Sequence, residues 1–309
     1  MAAPTDQLET VTVVIATVDR PEMLRQAVNA ALRQDYPGVV EVLVVSDGAR
    51  VDPLADIVIP PSRSLSTCPN TRTPGLAGAR NTGILAARGQ YVAFCDDDDA
   101  WAADKLRHQI AAWQADPTAI AVATGVRISA GHRQTDRVPP PVTHFHDFLR
   151  SRVSAIHPSS LVYRTSDLVG RVGLVDEGLP FSYAEDYDLL LRATRFGHVC
   201  SVQLPLVHIA WGDHSKFSGK WDILVLGLTY LLQKVPDLTT NRVGLARIAG
   251  QLAFAYAALG RRQECCRWAI TSLRSNPAQL RAPAALLVAA GMANAETLLS
   301  LNARRGRGL

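Results

Sequence analysis

The sequence predicts an α/β fold, in which helices flank a mostly parallel sheet and an α-helical appendage follows at the C-terminal end. Three observations predict it. Residues 11–45 contain a β-branched strand, an amphipathic helix and a second strand, and such a βαβ unit implies parallel strands. A further apolar strand at residues 91–95 runs directly into four aspartates. From Trp221 onward the strand patterns stop and the apolar spacing becomes helical. We therefore expect one domain over residues 1–220 and a helical region over residues 221–309.

Each element follows from its local pattern. The run VTVVIA at residues 11–16 is typical of a strand that is buried on both faces. Residues 21–33 repeat apolar side chains at helical spacing, and Pro21 suits a first helical turn. The other predicted elements are strands at 39–45, 56–59, 91–95, 120–127, 160–163 and 199–206, helices at 76–88, 105–115 and 185–196, and a loop at 60–75.

Composition sets broad limits on the class of protein. The chain has 309 residues, 48% of them hydrophobic, which suffices for a sizeable core. The net charge of +4 comes without the dense Lys/Arg stripe of nucleic-acid binders, so we expect no nucleic-acid partner. Five scattered cysteines without C-x-x-C spacing suit a reducing compartment, and neither a secretion signal nor a membrane-spanning stretch is apparent. We therefore expect a cytoplasmic protein, whose basic end around Arg304 is either a solvated tail or a contact with the inner face of the membrane.

The run CDDDDAW at residues 95–101 concentrates four carboxylates at the end of a strand that should be buried. Asp favours helix caps and first turns, which accounts for one or two of the four, such as Asp99. Like charges this close raise one another's pKa unless a counter-charge is present. Carboxylates suit Mg²⁺ or Mn²⁺, which bind through one or two of them and otherwise through water and phosphates. Because open α/β sheets bind ligands at the carboxyl ends of their strands, the run predicts a metal–phosphate site.

The motifs around this run resemble family 2 glycosyltransferases of the GT-A fold. The matching segments are Gly78-Ala-Arg-Asn-Thr-Gly83, Ala87-Arg-Gly-Gln-Tyr-Val-Ala-Phe94, the four aspartates, Trp101, Lys105-Leu106, Pro158-Ser-Ser160, Gly173-Leu-Val-Asp-Glu177 and Glu185-Asp-Tyr-Asp-Leu-Leu-Leu-Arg192. The resemblance covers about residues 10–217. It implies a Rossmann-like GT-A domain, with a nucleotide-sugar half at about residues 10–127 and an acceptor half at about residues 128–220.

The resemblance also implies roles for single residues in a metal-dependent, inverting glycosyltransferase with a nucleoside-diphosphate sugar as donor. Asp47 is expected to bind the base and Asp97 to lie near the ribose. Asp98, the last acid of the D-x-D pattern, is expected to ligate Mg²⁺ or Mn²⁺ together with His214, with His208 as the alternative histidine. The nucleotide-sugar residues implied in this way are Thr17, Val18, Asp19, Arg20, Asp47, Arg80, Asp96 and Asp97. For Arg80, an ion pair with the acidic run is the alternative role.

The Glu185-Asp186 pair is the predicted site of acid–base chemistry. An acceptor hydroxyl must lose its proton as it attacks the anomeric carbon, and a carboxylate held close can accept that proton. By resemblance Asp186 is the expected general base and Glu185 its helper, although one member of such a pair can also cap the following helix. His157 and Trp101 are expected to contact the acceptor.

Two departures and two rival functions remain open at this stage. Val18 stands where the family usually has an aromatic residue near the base, and Ser46 replaces the first Asp of an Asp-Asp-Gly motif. A nucleotidyltransferase would carry a Gly-rich basic loop after the first strand, whereas this chain has Thr-Val-Asp-Arg-Pro. A non-catalytic sugar-nucleotide-binding or scaffolding protein with a partner-binding helical tail is the second rival. The expected acceptor is a glycan, a glycolipid or a small molecule, and the helical region either packs on the catalytic domain or supports partner binding, including a homodimer.

Overall fold

The computed structural model describes residues 9–48, 50–131, 133–210 and 219–298. The described residues fall into two compact units. The first unit comprises those within Met1–Phe145, Val153–Glu177 and Glu185–Trp211, and the second those within His146–Arg152, Gly178–Ala184 and Gly212–Leu309. The domain boundary at residue 220 stays a prediction.

The first unit is built on a mixed, mostly parallel sheet. Its strands are β1 (Val11–Thr17), β2 (Val40–Ser46), β3 (Arg63–Pro69), β4 (Tyr91–Asp96), β5 (Asp99–Trp101), β6 (Ala121–Ala130), β7 (Arg133–Arg137), β8 (Val142–Thr143), β9 (Val162–Arg164) and β10 (Val199–Ala210). Among the described residues the sheet order is β3-β2-β1-β4-β9-β6-β10-β5, while β7 pairs with β6 and β8 with β10. The predicted α/β class is thus confirmed.

The helices lie between the strands in the first unit and dominate the second. They are α1 (Pro21–Leu32), α2 (Leu76–Ala86), α3 (Lys105–Ala115), α4 (Phe145–Arg150), α5 (Thr165–Val169), α6 (Glu185–Ala193), α7 (Trp221–Lys234), α8 (Asp237–Thr240), α9 (Arg242–Ala258), α10 (Arg262–Ser275) and α11 (Arg281–Ala289). Short 3-10 helices span Pro158–Ser160 and Pro180–Ser182.

The register of the parallel strands aligns the carboxyl ends of three strands. Strand β1 pairs in parallel with β2 on one side and with β4 on the other. Thr17 lies opposite Ser46, and Ala16 lies opposite Asp96. The β-branched residues of β1 are buried, as a central parallel strand requires. The residues that follow β1, β2 and β4 therefore meet at one edge of the sheet.

The structure corrects three details of the predicted strands. The strand predicted at residues 56–59 is wrong, and the segment predicted as a loop at 60–75 contains strand β3, which pairs in parallel with β2. Its sequence RSLSTCP is polar and its burial alternates, because β3 lies at the end of the sheet order. Strands β5 and β7 were not predicted, since β5 has three residues and β7 is largely exposed.

Helix α2 packs so closely on the sheet that only glycine fits at one of its positions. A Cβ atom at Gly83 would overlap the side chain of Val14 in β1. Real Cβ atoms do not approach that closely, so a larger residue would push the helix away from the strand. Since Arg80 and Asn81 lie in this helix, the glycine helps to hold both close to the carboxyl edge.

The second unit is helical, as expected from Trp221 onward. Helices α9 and α10 pack against each other and against α11 around a core that includes Phe254, Cys265 and Ala269. Asn241 caps α9 by accepting a hydrogen bond from the backbone N–H of Gly244 at 2.9 Å. Among the described residues, every helix is too short or too polar to cross a membrane.

Candidate functional site

Two residues at the end of β1 and just after it bind the carboxylates in the middle of the acidic run. Thr17 Oγ1 donates to Asp97 Oδ2 at 2.7 Å, and Arg20 Nη1 donates to Asp97 Oδ1 at 3.2 Å and to Asp98 Oδ2 at 2.6 Å. Asp97 is 5% exposed, whereas the side chain of Asp98 is 44% exposed. Burial therefore alternates along the run, and Asp98 presents its carboxylate to solvent.

The two ends of the run have separate partners. Asp96 Oδ1 accepts from Arg80 Nη2 at 2.6 Å. Asp99 Oδ2 accepts from Ser159 Oγ at 2.5 Å and lies 3.3 Å from His157 Nδ1. Burial raises the pKa of Asp99 to about 7, although the nearby His157 opposes the shift. Asp99 lies in strand β5, so the expectation that it leads into a helix is wrong.

Asp47 at the end of β2 is held by the segment that precedes α2. Asp47 Oδ1 accepts from Asn70 Nδ2 at 2.6 Å, and Oδ2 accepts from the backbone N–H of Gly75 at 2.7 Å. The backbone N–H of Asp47 donates to the Thr17 carbonyl at 2.9 Å, which ties the ends of β1 and β2 together.

The turn after β1 is conformationally unusual. Asp19 is exposed and adopts a φ of 49°, in the left-handed region that few residues other than glycine occupy. A Cβ atom at Gly48 would lie 3.1 Å from Asp19 Oδ1, so the Asp19 carboxylate lies beside the turn after β2. Val18 is half-buried between Thr17 and Asp19. The residues predicted to bind the nucleotide-sugar therefore share one edge of the sheet, while their contacts with a nucleotide stay predictions.

Arg80 joins the acidic run to the predicted acid–base pair. It is 3% exposed, and its Nη1 donates to Glu185 Oε1 while its Nη2 contacts Asp96. Burial by itself would lower the pKa of Arg80, but the carboxylates of Asp96, Glu185 and Asp186 raise it above its ordinary value. The alternative role considered for Arg80, an ion pair with the acidic run, is therefore observed.

Glu185 and Asp186 begin helix α6 and are both buried. A buried carboxylate is costly unless it is paired, and Arg80 supplies the positive charge for this pair. Asp188, two residues further on, is buried too and accepts from Arg192 Nε at 2.9 Å within the same helix. Asp188 thus supports α6.

A small pocket lies beside this pair. Arg80, Tyr163, Glu185 and Asp186 contribute polar groups to its wall, and Phe94 and Leu189 contribute apolar ones. The Tyr163 hydroxyl is buried without a hydrogen-bond partner among the described groups. Desolvation, reinforced by Asp186, raises the pKa of Tyr163, so the phenol is neutral.

The two residues predicted to contact the acceptor occupy different surroundings. Trp101 is 5% exposed in strand β5, with Lys105 Nζ 3.7 Å from the centre of its ring. His157 is partly exposed and caps the 3-10 helix Pro158–Ser160 by accepting from the backbone N–H of Ser159 at 3.4 Å. Acceptor contact by either residue stays a prediction.

The possible ligand atoms at the carboxyl edge of the sheet fit a hard divalent cation. Asp96, Asp99 and His157 each offer one ligand atom, and these atoms all lie within 4.8 Å of one another. Carboxylate oxygens with one imidazole nitrogen suit Mg²⁺ or Mn²⁺. Asp98, the metal ligand expected from the sequence, lies in the same run and is exposed. His214, the second expected ligand, lies outside the described residues.

Comparison with protein families decides the class. The model of "Glycosyl transferase family 2" matches residues 12–168, which is half of the chain and contains nearly all of β1, the acidic run and the Pro158–Ser160 helix. The chain belongs to glycosyl transferase family 2. Glu185 and Asp186 lie beyond the matched residues, so their assignment rests on the structure and on the motif in the sequence.

Two curated bacterial proteins are similar to this glycosyltransferase. The succinoglycan biosynthesis protein ExoO of Rhizobium meliloti is 33% identical over 227 residues, which cover 68% of this chain and 64% of ExoO. The UDP-Glc:alpha-D-GlcNAc-diphosphoundecaprenol beta-1,3-glucosyltransferase WfaP of Escherichia coli is 33% identical over 104 residues, 33% of this chain and 41% of WfaP. The matches thus span less than two thirds of either relative.

Solved glycosyltransferase structures share the fold. TarS 1-349 of S. aureus, in complex with UDP-GlcNAc, has a TM-score of 0.59 and 17% identity, covering 96% of this chain and 92% of TarS. The mannosyltransferase PcManGT of Pyrobaculum calidifontis, in complex with GDP-Man and Mn²⁺, has a TM-score of 0.55 and 21% identity, covering 98% and 81% of the two chains. At these identities the similarity establishes the GT-A fold alone.

Sequence reasoning missed several residues that shape the family 2 site. Asn70, Asn81 and Glu177 hold the segment next to Asp47, and Ser159 donates to the acidic run. Asn81, Ser159 and Glu177 all lie in the motifs that carry the resemblance. Their place in these motifs indicates that they matter but does not indicate what they do. Asn70 lies in the predicted loop and had no such signal.

Proposed function

We propose that the protein transfers a sugar from a nucleoside-diphosphate donor to an acceptor hydroxyl with inversion at the anomeric carbon, and that Asp186 is the general base. The contact that carries this proposal is made by Arg80, which binds Asp96 of the donor side and Glu185 of the acid–base pair at once. That double contact links the proposed donor side to the start of the helix that carries Asp186, which supports the proposal.

The residues that we assign to the sugar donor offer hydrogen-bond acceptors and positive charge that suit a nucleotide. Asp47 has acceptor oxygens for the N–H groups of a base, and Asp97 has them for the ribose hydroxyls. Arg20, which already contacts Asp97 and Asp98, supplies positive charge close to the diphosphate. Val18 and Asp19 lie in the turn after β1, between Thr17 and Arg20.

A divalent cation, when bound, would supply charge that stabilises the diphosphate as the leaving group. Asp98 would hold it because its carboxylate is the most exposed of the run, with Asp96, Asp99 and His157 as the neighbouring donor set. His214 remains a proposed ligand. Both Mg²⁺ and Mn²⁺ suit these donors.

The chain's own residues perform the proton transfer. The acceptor oxygen attacks the anomeric carbon, its bond to carbon forms as the bond to the diphosphate oxygen breaks, and its proton passes to a carboxylate oxygen of Asp186. The diphosphate leaves with the bonding electron pair. Arg80 places positive charge beside Glu185 and Asp186 in this buried site.

We further propose a lipid-linked glycan as the acceptor, reached at the inner face of the membrane. WfaP carries an acceptor of that kind in its name. Residues 212–309 of this chain contain 13 Lys and Arg against five Asp and Glu, so the helical region has a strong positive charge for anionic lipid. Flotation with vesicles of phosphatidylglycerol against neutral vesicles tests it, and equal binding to both would reject it. The homodimer through this region stays a prediction.

The experiment for the proposed function is an assay of nucleoside-diphosphate release from UDP-, GDP- and dTDP-sugars with Mn²⁺, Mg²⁺ or EDTA, alongside binding by calorimetry. We expect metal-dependent release from one donor class, and loss of metal-dependent binding in Asp98→Ala. Normal binding and turnover in that variant would contradict the proposal. Tight donor binding without release in the presence of lipid-linked and free glycans would favour the non-catalytic binding protein.

A further inference from the structure

The segment of residues 70–75, which connects β3 to α2, controls the position of the Asp47 carboxylate. Both Asp47 oxygens accept a hydrogen bond from it, one from Asn70 Nδ2 and one from the backbone N–H of Gly75. A carboxylate fixed on both oxygens has its remaining lone pairs aimed in set directions. The placement of the 70–75 segment therefore decides how Asp47 can meet a base.

This segment is held by polar contacts rather than by burial. Residues 71–74 are exposed, so the hydrophobic effect contributes little to their placement. Thr82 Oγ1 donates to Asn70 Oδ1 at 2.8 Å and anchors the start of the segment to α2. A Cβ atom at Gly78 would overlap the carbonyl oxygen of Thr73, so the segment lies directly on the first turn of that helix.

Glu177 holds the middle of the segment from the other side. Its Oε2 accepts from the backbone N–H of Thr73 at 3.2 Å, and its Oε1 accepts from Arg72 Nε and, at 2.6 Å, from Asn81 Nδ2. Asn81 is buried and also exchanges hydrogen bonds with the backbone of Val175, at 2.8 and 2.9 Å. The stretch that carries Glu177 is thereby tied to α2, and the carboxylate becomes a rigid anchor.

The carboxylate of Glu177 keeps the same charge over a wide pH range. Burial would raise the pKa of Glu177, but hydrogen bonds from Asn81, Thr73 and Arg72 outweigh it and lower the pKa to about 2. The carboxylate stays ionised at any pH at which the enzyme would work. Charge-assisted hydrogen bonds of this kind are stronger than those between neutral groups.

We propose that Glu177 is a positioning residue for the donor: through Arg72 and Thr73 it holds the 70–75 segment against Asp47, and so sets the orientation in which Asp47 receives the base of a nucleoside diphosphate. Glu177 itself does not touch the nucleotide. The inference rests on the proposed function, since it assigns the base to Asp47. It adds a residue to the donor site that lies 130 positions away from Asp47 in the sequence.

The test compares donor affinity in Glu177→Gln and Arg72→Gln with that of a matched surface pair. Arg127 and Asp136 form an exposed, two-pronged ion pair at 2.7 and 2.8 Å, so Arg127→Gln and Asp136→Asn control for loss of a surface ion pair. We expect each variant at 72 or 177 to raise the calorimetric Kd for the bound nucleoside diphosphate about tenfold, as for one lost charge-assisted hydrogen bond. The KM for the donor should rise with kcat retained, and the controls should bind as wild type does.

Two further measurements separate positioning from general stability. The double variant Arg72→Gln/Glu177→Gln should bind no more weakly than Glu177→Gln, because both changes remove the same contact. Limited trypsin digestion should cleave after Arg72 faster in Glu177→Gln than in Asp136→Asn, since that segment is released. Arg72 is exposed, so Arg72→Gln keeps the test valid if Glu177→Gln folds poorly.

The outcomes distinguish this inference from the proposed function. If the wild type binds no nucleoside diphosphate or nucleotide sugar, the proposed function fails and the inference fails with it. If the wild type binds and both single variants bind equally tightly, the donor site stands and the role of Glu177 is rejected. A lower unfolding temperature with unchanged Kd would likewise assign Glu177 a purely structural role.

Discussion

The acidic run at residues 96–99 and the Glu185–Asp186 pair both gather carboxylates, but they are neutralised in different ways. In the run, burial alternates and the charges are shared among several donors, among them Thr17, Arg20 and Ser159. In the pair, both carboxylates are buried and the buried Arg80 lies close to both of them. We therefore expect the loss of one donor to cost less in the run than the loss of Arg80 costs in the pair.

The difference also matches the chemistry proposed for each region. A site for a cation and a diphosphate needs accessible carboxylates that can exchange partners, and Asp98 meets that need. A general base needs a carboxylate that is charged but shielded from water, and a cation nearby stabilises the charged form. The two regions therefore differ in exposure because their tasks differ.

The largest effect is expected for Asp186→Asn, which tests whether the pair is the catalytic region. An amide cannot accept the proton, so kcat should fall by about 10²- to 10⁴-fold. Donor affinity should stay within about twofold of wild type, because Asp186 is not assigned to nucleotide contact. Steady-state kinetics and calorimetry measure both, with Asp136→Asn as the control. Retention of kcat would remove the distinction between the two regions.

Arg80→Met tests how far the pair depends on this cation. The change removes positive charge that contacts Glu185 and Asp96, and the loss of one partner from a buried ion pair costs about 3–5 kcal/mol of stability. Urea unfolding of this variant, of Arg127→Met as an exposed control and of wild type measures the cost. A loss below about 1 kcal/mol would mean that the pair does not depend on Arg80.

Lys105→Met sharpens the comparison with a second buried cation. Lys105 donates to Gln109 Oε1 at 2.7 Å, and burial lowers its pKa to about 7, the opposite direction from Arg80. Between pH 7 and 10 the unfolded chain then binds more protons than the folded one, so stability rises with pH.

The slope from this one group is at most about 1.4 kcal/mol per pH unit. The difference in unfolding free energy between wild type and Lys105→Met should therefore change over that pH range, whereas the exposed Lys220→Met should track wild type. A difference that is constant from pH 7 to pH 10 would contradict the lowered pKa of Lys105.

Arg20→Met should have the smallest effect on stability and completes the comparison. Arg20 is partly exposed, Asp97 keeps Thr17 as a donor, and Asp98 can be solvated. We expect a loss of about 1 kcal/mol or less in urea unfolding, as for partly exposed ion pairs. A loss as large as that of Arg80→Met would show that the run is no more tolerant than the pair.

Much of the fold was predictable because its central strands are buried and apolar. The patterns of β1, α1, β2, β4 and α3 were recognised within a few residues of their ends. Strand β3 was not, because its alternating Ser and Thr side chains match the composition of a loop. Pairing with β2, which no local pattern reveals, makes it a strand.

The site was predictable at the level of motifs and not at the level of contacts. The acidic run and the Glu-Asp pair were apparent as charged groups at element ends. The double contact of Arg80 and the anchoring of the 70–75 segment by Glu177 join residues more than 100 positions apart. Such pairings depend on how the sheet brings α2 and α6 together, which a single sequence does not encode in any local spacing.

The double contact of Arg80 has a consequence for recombining this enzyme with its relatives. Arg80 and Glu185 lie on opposite sides of any crossover placed between the predicted nucleotide-sugar and acceptor halves, near residue 127. A chimaera that takes its halves from two parents inherits this contact only if both parents maintain it, and the same holds for Arg72 with Glu177. Modular exchange of acceptor specificity should therefore succeed between parents that share both pairs, and these two pairs give a simple rule for choosing them.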